Sequence, residues 1–242
     1  ARTKTETPRA RRGPETDAPR PMIRDVLQSM RIYQWTKNLV LFAGLVFTMK
    51  FLEPAYVKDT VLGFLLFSLA VSGMYVLNDI FDLERDRLHP AKRARPIAAG
   101  RLPIGAAAGW AFGLLAIGLG GSLLLGIRFG GTAIAYMALT LAYSLFFKQV
   151  ALLDVVTIAL GFVLRAAAGV ELIRDRAAPG GEEVILSPWL LVCAFFLALF
   201  LAIGKRRHEF ATLEADASRH RASLGAYNSR LLDQLVAVVT RA

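Results

Sequence analysis

Residues 57–86 read VKDTVLGFLLFSLAVSGMYVLNDIFDLERD. After Lys58 and Asp59 the chain carries no charge until Asp79, and then Asp79, Asp82, Glu84, Arg85 and Asp86 follow in quick succession. A bilayer-crossing helix needs about 20 mostly apolar residues, so this run reads as a membrane span whose last turns turn polar. Asn78, Asp82 and Asp86 recur every four residues and so share one face of a helix at the mouth of the span. Oxygen ligands on one face suit Mg²⁺, which takes a few carboxylates together with substrate phosphate oxygens in preference to a complete protein cage. We therefore expect Asn78, Asp82 and Asp86 as metal ligands, with Asp82 and Asp86 also catalytic. The competing reading is a solvated helix end whose acids merely balance Arg85 and Arg87.

The next residues weaken that competing reading. His89-Pro90-Ala91-Lys92-Arg93-Ala94-Arg95 puts three cations within four residues directly after the carboxylates. A metal–diphosphate complex calls for this pairing, since carboxylates hold the metal while Lys and Arg neutralise the remaining phosphate oxygens. His89 has no second His or Cys at ligand spacing, so it is expected to serve as a hydrogen-bonding loop residue.

Outward from this stretch the same alternation of apolar run and basic cluster continues. Of the 242 residues 55% are hydrophobic, against roughly 45–50% in ordinary soluble domains. Apolar runs fall at 38–52, 57–78, 104–127, 130–147, 150–173, 188–204 and 225–240. This predicts an all-α, multi-pass transmembrane bundle of about seven spans. Residues 1–21, rich in Pro, Thr, Arg and Glu, are expected to form a disordered basic tail ahead of a catalytic membrane domain over 22–242. The single cysteine, Cys193, lies in an apolar run, which excludes a disulfide framework. The net charge of +10 does not indicate nucleic acid, because the cations cap hydrophobic spans and are not spread over a soluble scaffold. Arg24, Arg31 and Lys37, the cluster from Arg85 to Arg101, Lys148, and the group from Lys205 to Arg221 fall on one side if the spans alternate. That side is expected to be cytoplasmic, with the N-terminus, in the cell's inner membrane.

Within the spans Asp154 and Arg165 are the costly residues. Asp154, Thr157, Gly161 and Arg165 share a helical face, and ionisable groups at membrane depth usually line an internal cavity or pair with one another. Eleven residues at about 1.5 Å each separate Asp154 from Arg165 by roughly 16 Å, so the two are expected at different depths of one polar chamber. Tyr75, Tyr136 and the many Phe are taken as packing or lipid contacts.

The motif NDIFDLERD, of the form NDxxDxxxD, resembles the first signature of the UbiA-type intramembrane prenyltransferase superfamily. The wider run NDIFDLERDRLHPAKRARPIAAGRLP resembles its decaprenyl-phosphate phosphoribosyltransferase branch, as do YQWTKN at 33–38, YSLFFK at 143–148 leading to Asp154, and SPW at 187–189 leading to GKRRHE at 204–209. The resemblance implies a bundle of nine spans, two more than the seven counted, so the chain is expected to be truncated at its C-terminus. It also implies transfer of a 5-phosphoribosyl group from phosphoribosyl diphosphate to a polyprenyl phosphate, with Mg²⁺, in the making of a cell-wall arabinose donor. Asp154 is then a further catalytic residue, and Lys37, Asn38, Lys92, Arg93, Arg95, Tyr143, Lys148, Arg165, Lys205, Arg206 and Glu209 contact substrate. Aromatic-acceptor members carry a second Asp-rich motif where this chain reads KRRHEF; cations there suit a phosphate-bearing co-substrate. The alternatives are prenyl transfer from a polyprenyl diphosphate to an aromatic or small lipid acceptor and, from another class, a membrane transporter. Against the transporter, no inverted repeat with paired broken helices is visible. A homo-oligomer is left open.

Overall fold

The computed structural model describes residues 22–150, 152–177, 188–213 and four positions between 234 and 239. The expected tail at 1–21 lies outside the described residues, and so does nearly all of the last apolar run. Every regular element among the described residues is helical: α1 (Met22–Met30), α2 (Phe42–Phe47), α3 (Pro54–Phe81), α4 (Leu83–Leu88), α5 (Ile104–Leu125), α6 (Ile127–Leu145), α7 (Leu153–Arg176) and α8 (Pro188–Leu213). Short 3₁₀ segments cover Ile32–Leu41, Lys50–Leu52, Lys92–Ala94 and Phe147–Gln149. Four helices (α3, α5, α7 and the Pro188–His208 part of α8) are long and apolar enough to cross a membrane.

Helix α3 is the axis of the bundle. Its Phe67, Ala70, Val71 and Met74 pack with Phe129, Ala133, Tyr136 and Met137 of α6 and with Ala168 and Leu172 of α7. On another side Val76 meets Ala107, Ala111 and Leu114 of α5. Large apolar side chains that remain exposed, such as Phe112 and Leu124 on α5 and Leu197 and Leu201 on α8, form the surface expected of helices in lipid.

Both ends of the bundle are tied by polar contacts. At one end Arg176 of α7 reaches Asp59 of α3 at 2.8 Å. Beside it the Asp175 carboxylate accepts the Phe129 backbone N–H at 2.8 Å, satisfying an orphan donor in the first turn of α6. The carboxylate stripe lies at the other end of α3.

The expected span at 38–52 is not one continuous α-helix. A non-glycine left-handed residue, Arg31 (φ 52°), opens the 3₁₀ segment, and another, Met49 (φ 58°), follows α2. The physical reason is a backbone crossing: a Cβ on Gly169 of α7 would stand 2.0 Å from the Leu41 carbonyl oxygen, and one on Gly44 would stand 2.3 Å from the Gly169 carbonyl carbon. Two glycines let the first segment lie against α7 backbone to backbone, and the chain departs from regular helix to do so.

Candidate active site

The stripe forms as its spacing predicts. Helix α3 ends at Phe81 and α4 begins at Leu83, with Asp82 between them, yet the ladder barely breaks: the Asp82 N–H donates to the Asn78 carbonyl at 2.9 Å and the Asp86 N–H to the Asp82 carbonyl at 2.8 Å. Asp86 is buried and Asp82 partly open. Cations from three other segments meet these acids. Lys148, in the turn after α6, donates to both oxygens of Asp82 at 2.7 and 3.0 Å. Arg95 Nη1 lies 2.5 Å from Asp86 Oδ2 and 3.1 Å from Asp79 Oδ1. Lys92 stands 3.9 Å from Asp86. Arg31, held by its left-handed backbone, pairs with Asp79 and lays its guanidinium over the Tyr75 ring at 5.1 Å.

The loop carrying Lys92 and Arg95 is ordered by its own hydrogen bonds. Lys92 and Arg93 N–H groups donate to the His89 carbonyl at 3.1 and 3.0 Å. His89 Nδ1 accepts the Ala91 N–H at 3.2 Å, so the histidine has the loop role expected of it. Arg93 is exposed and forms no ion pair among the described residues.

Asn78 Oδ1 is buried and has no hydrogen-bond partner among the described residues. A buried acceptor left unmade costs roughly 1–3 kcal/mol, and this one stands one turn before Asp82 and two before Asp86. The donor set therefore fits a divalent cation that takes the asparagine oxygen and two carboxylates. No group of three His, Cys, Asp or Glu side chains placed to hold a metal ion occurs among the described residues.

Asp154, Thr157, Gly161 and Arg165 are all buried on α7, on one face of the helix as their spacing predicts. Asp154 and Arg165 do not meet. Arg165 donates to Asn38 Oδ1 at 3.0 Å and to the Tyr136 hydroxyl, and its guanidinium lies between the Tyr136 and Phe162 rings at 4.7 and 4.9 Å. Asn38 Nδ2 continues the network to Ser68 at 2.9 Å. Tyr136, set aside as packing on sequence grounds, is thus a polar partner of a buried cation. Asp154 instead accepts Arg206 Nε at 2.8 Å, with side chains 0% and 2% exposed. Arg206, expected as a phosphate clamp, is locked inside the bundle, and Asp154, expected to be catalytic, is enclosed with it.

Lys37 sits on the 3₁₀ segment at the mouth, exposed beside buried Asn38. Desolvation, then the positive charges of Arg165, Lys205 and Arg31, lower its pKa from the ordinary lysine value. Such a site gains from an anion. Lys205 is exposed on α8, and Tyr143 is half-buried near the end of α6. The side chain of Glu209 lies outside the described set.

A groove of ≈ 270 Å³ opens beside the carboxylates, lined by Phe81, Asp82, Arg85, Ser144, Leu145 and Lys148 among others. Its lining joins the polar Asp82, Glu84, Arg85, Ser144 and Lys148 with the apolar Phe81 and Leu145. Sequence reasoning missed Asp79 and Arg31 as members of the site: Asp79 does not fall in the four-residue spacing of 78, 82 and 86, although at seven residues before Asp86 it shares that side of the helix, and Arg31 reads as one more basic residue flanking a span.

The profile of the UbiA prenyltransferase family matches residues 39–239 of this chain. An uncharacterized protein, y4nM, of Sinorhizobium fredii is 40% identical over 187 residues, which cover 77% of this chain and 34% of that protein. The decaprenyl-phosphate phosphoribosyltransferase of Corynebacterium glutamicum is 37% identical over 218 residues, 88% of this chain and 63% of that enzyme. The chain thus spans about a third of the first relative and less than two thirds of the second. A solved UbiA homolog from Archaeoglobus fulgidus bound to GPP and Mg²⁺ has the same fold, with a TM-score of 0.67 at 21% identity over 90% of this chain and 73% of that one.

Proposed function

Since the chain belongs to the UbiA prenyltransferase family, we propose that it is a membrane phosphoribosyltransferase moving a 5-phosphoribosyl group from phosphoribosyl diphosphate to a polyprenyl phosphate. The observation that carries the reading is the convergence of Arg31, Arg85, Lys92, Arg95 and Lys148 on Asp79, Asp82 and Asp86, around an Asn78 oxygen that finds no partner among the described residues. More cations than anions, together with oxygen ligands, suit a metal-bound diphosphate. The sugar donor is supported by the 37% identity to a decaprenyl-phosphate phosphoribosyltransferase and by the KRRHE stretch at 205–209.

In this reading Asn78, Asp82 and Asp86 hold Mg²⁺. Bound there, the ion supplies positive charge against the charge that builds on the leaving diphosphate. Lys148, Arg95 and Lys92 take the remaining diphosphate oxygens, and Arg31 keeps Asp79 and thereby Arg95 in place. As the bond from sugar C1 to the diphosphate breaks, a lipid phosphate oxygen forms the new bond to C1. That oxygen is anionic at neutral pH, so the site needs no strong general base. Lys37 and Lys205 hold the second phosphate group. The reaction faces the cytoplasm, where a water-soluble sugar diphosphate is available, and the isoprenoid tail lies in the bilayer.

The test offers purified protein two donor–acceptor pairs in parallel with Mg²⁺ and follows diphosphate release. Release from phosphoribosyl diphosphate plus polyprenyl phosphate is expected. Release only from polyprenyl diphosphate plus 4-hydroxybenzoate would replace this reading with prenyl transfer, and uptake of a solute into vesicles without turnover would replace it with transport.

A further inference from the structure

The cations of the mouth do not stand back from the carboxylates that a metal would need. Lys148 covers both oxygens of Asp82, at 2.7 and 3.0 Å. Arg95 covers Asp86 Oδ2 at 2.5 Å, and Lys92 faces Asp86 Oδ1 at 3.9 Å. We propose that Lys148 and Arg95 compete with a divalent ion for Asp82 and Asp86, so that the ion binds well only together with a diphosphate that takes both cations over. The inference rests on Asn78, Asp82 and Asp86 being the metal's holders.

The argument is one of charge. Hydrogen bonds between an ammonium or guanidinium and a carboxylate are roughly twice as strong as neutral ones, and a metal arriving alone must break them. It would also place two further positive charges among Arg31, Arg85, Lys92, Arg95 and Lys148. A diphosphate reverses both costs, because its oxygens offer the displaced cations new acceptors and its negative charge offsets the metal. The two cations differ in how they are held. Arg95 Nη1 is also bonded to Asp79 at 3.1 Å, a buried acid that is not one of the metal's holders, so on leaving Asp86 it stays tethered over the site. Lys148 is in a 3₁₀ turn lining the groove with Asp82, and its flexible four-carbon stem lets the ammonium swing. Metal and diphosphate then bind with reciprocal positive coupling, and Lys148 carries a large share of it.

Mn²⁺ binding to the full detergent-purified chain, read by electron paramagnetic resonance with and without inorganic diphosphate against protein-free controls, tests this directly. Wild type should bind Mn²⁺ at least tenfold more tightly when diphosphate is present. Lys148→Met should tighten Mn²⁺ binding without diphosphate by about tenfold, the scale of one lost charge-assisted hydrogen bond, and should shrink the gain from diphosphate by the same factor. Arg87→Gln is the control for charge alone: Arg87 pairs with Glu84 at 3.1 Å and not with the three aspartates, and its loss should change Mn²⁺ binding less than threefold. Lys148→Gln is read in the same way should Lys148→Met not melt as a folded protein. Mn²⁺ binding that is unchanged or weaker in the Lys148 variants, or shifted no more than in Arg87→Gln, overturns the competition. Asp82→Asn and Asp86→Asn separate the two layers. If Mn²⁺ binding with diphosphate survives in them, the metal site itself is misplaced; if it is lost while Lys148→Met changes nothing, only the competition fails.

Discussion

Asp154 and Arg206 lie 52 positions apart in sequence and meet at 2.8 Å with almost no exposed surface. Removing one partner of a buried ion pair costs about 3–5 kcal/mol, whereas replacing both with apolar groups of similar volume is often neutral. Asp154→Ala and Arg206→Ala should therefore each lower the thermal midpoint of the purified chain markedly, and Asp154→Leu with Arg206→Met should recover most of the loss. Single variants that melt like wild type would show that the pair does not lock α7 to α8. Nothing in the spacing of the chain announces this pairing, because a cation just past the apolar run at 188–204 reads equally well as a clamp or as an interfacial anchor. The stripe is different: its three residues recur every four positions on one helix, and local geometry alone brings Asn78, Asp82 and Asp86 together. Asp79 was hidden for the complementary reason, since its partners Arg31 and Arg95 come from other segments. Tyr136 was hidden likewise, because an aromatic in an apolar run gives no sign that Arg165, 29 residues on, will bond its hydroxyl.

At the scale of elements, hydropathy located α3, α5, α6 and α7 to within a few residues, because each is a long apolar run bounded by Pro, Gly or charge; it found the start of α8 but stopped nine residues short of its end at Leu213. It failed at 38–52, where the run is apolar but the conformation is set by the crossing with α7. Gly169→Ala would push a methyl to 2.0 Å from the Leu41 carbonyl oxygen, and overpacking of this kind costs about 1–3 kcal/mol or more. Gly109→Ala on α5, with nothing within 4 Å of its Cβ, should be neutral or slightly stabilising, as alanine is the better helix former. Thermal melts of the two variants beside wild type decide it; equal melting of Gly169→Ala and Gly109→Ala would contradict the crossing. The same crossing holds Asn38 against Arg165, so a disturbed Gly169 should also weaken the polar network beneath the mouth.

For the molecule as a whole, the two ends of the bundle are chemically unlike. One gathers Arg31, Lys92, Arg95 and Lys148 around three aspartates; the other has the Arg176–Asp59 pair and the Asp175 cap. Positive residues flanking spans favour the cytoplasm, so the rich end should face it. In a Cys193→Ser background, Ala99→Cys should be labelled by an impermeant thiol reagent only from the cytoplasmic side; labelling from outside alone would invert the topology and remove the active site from its sugar donor. The central claim is the transfer itself. Phosphoribosyl diphosphate labelled with ¹⁴C in the ribose and ³²P in the β-phosphate, mixed with Mg²⁺, polyprenyl phosphate and the purified chain, tests it most directly. The account predicts ¹⁴C in the organic phase and all ³²P in water as diphosphate; ¹⁴C that stays in water while ³²P leaves the donor, or no change in either label, would contradict it.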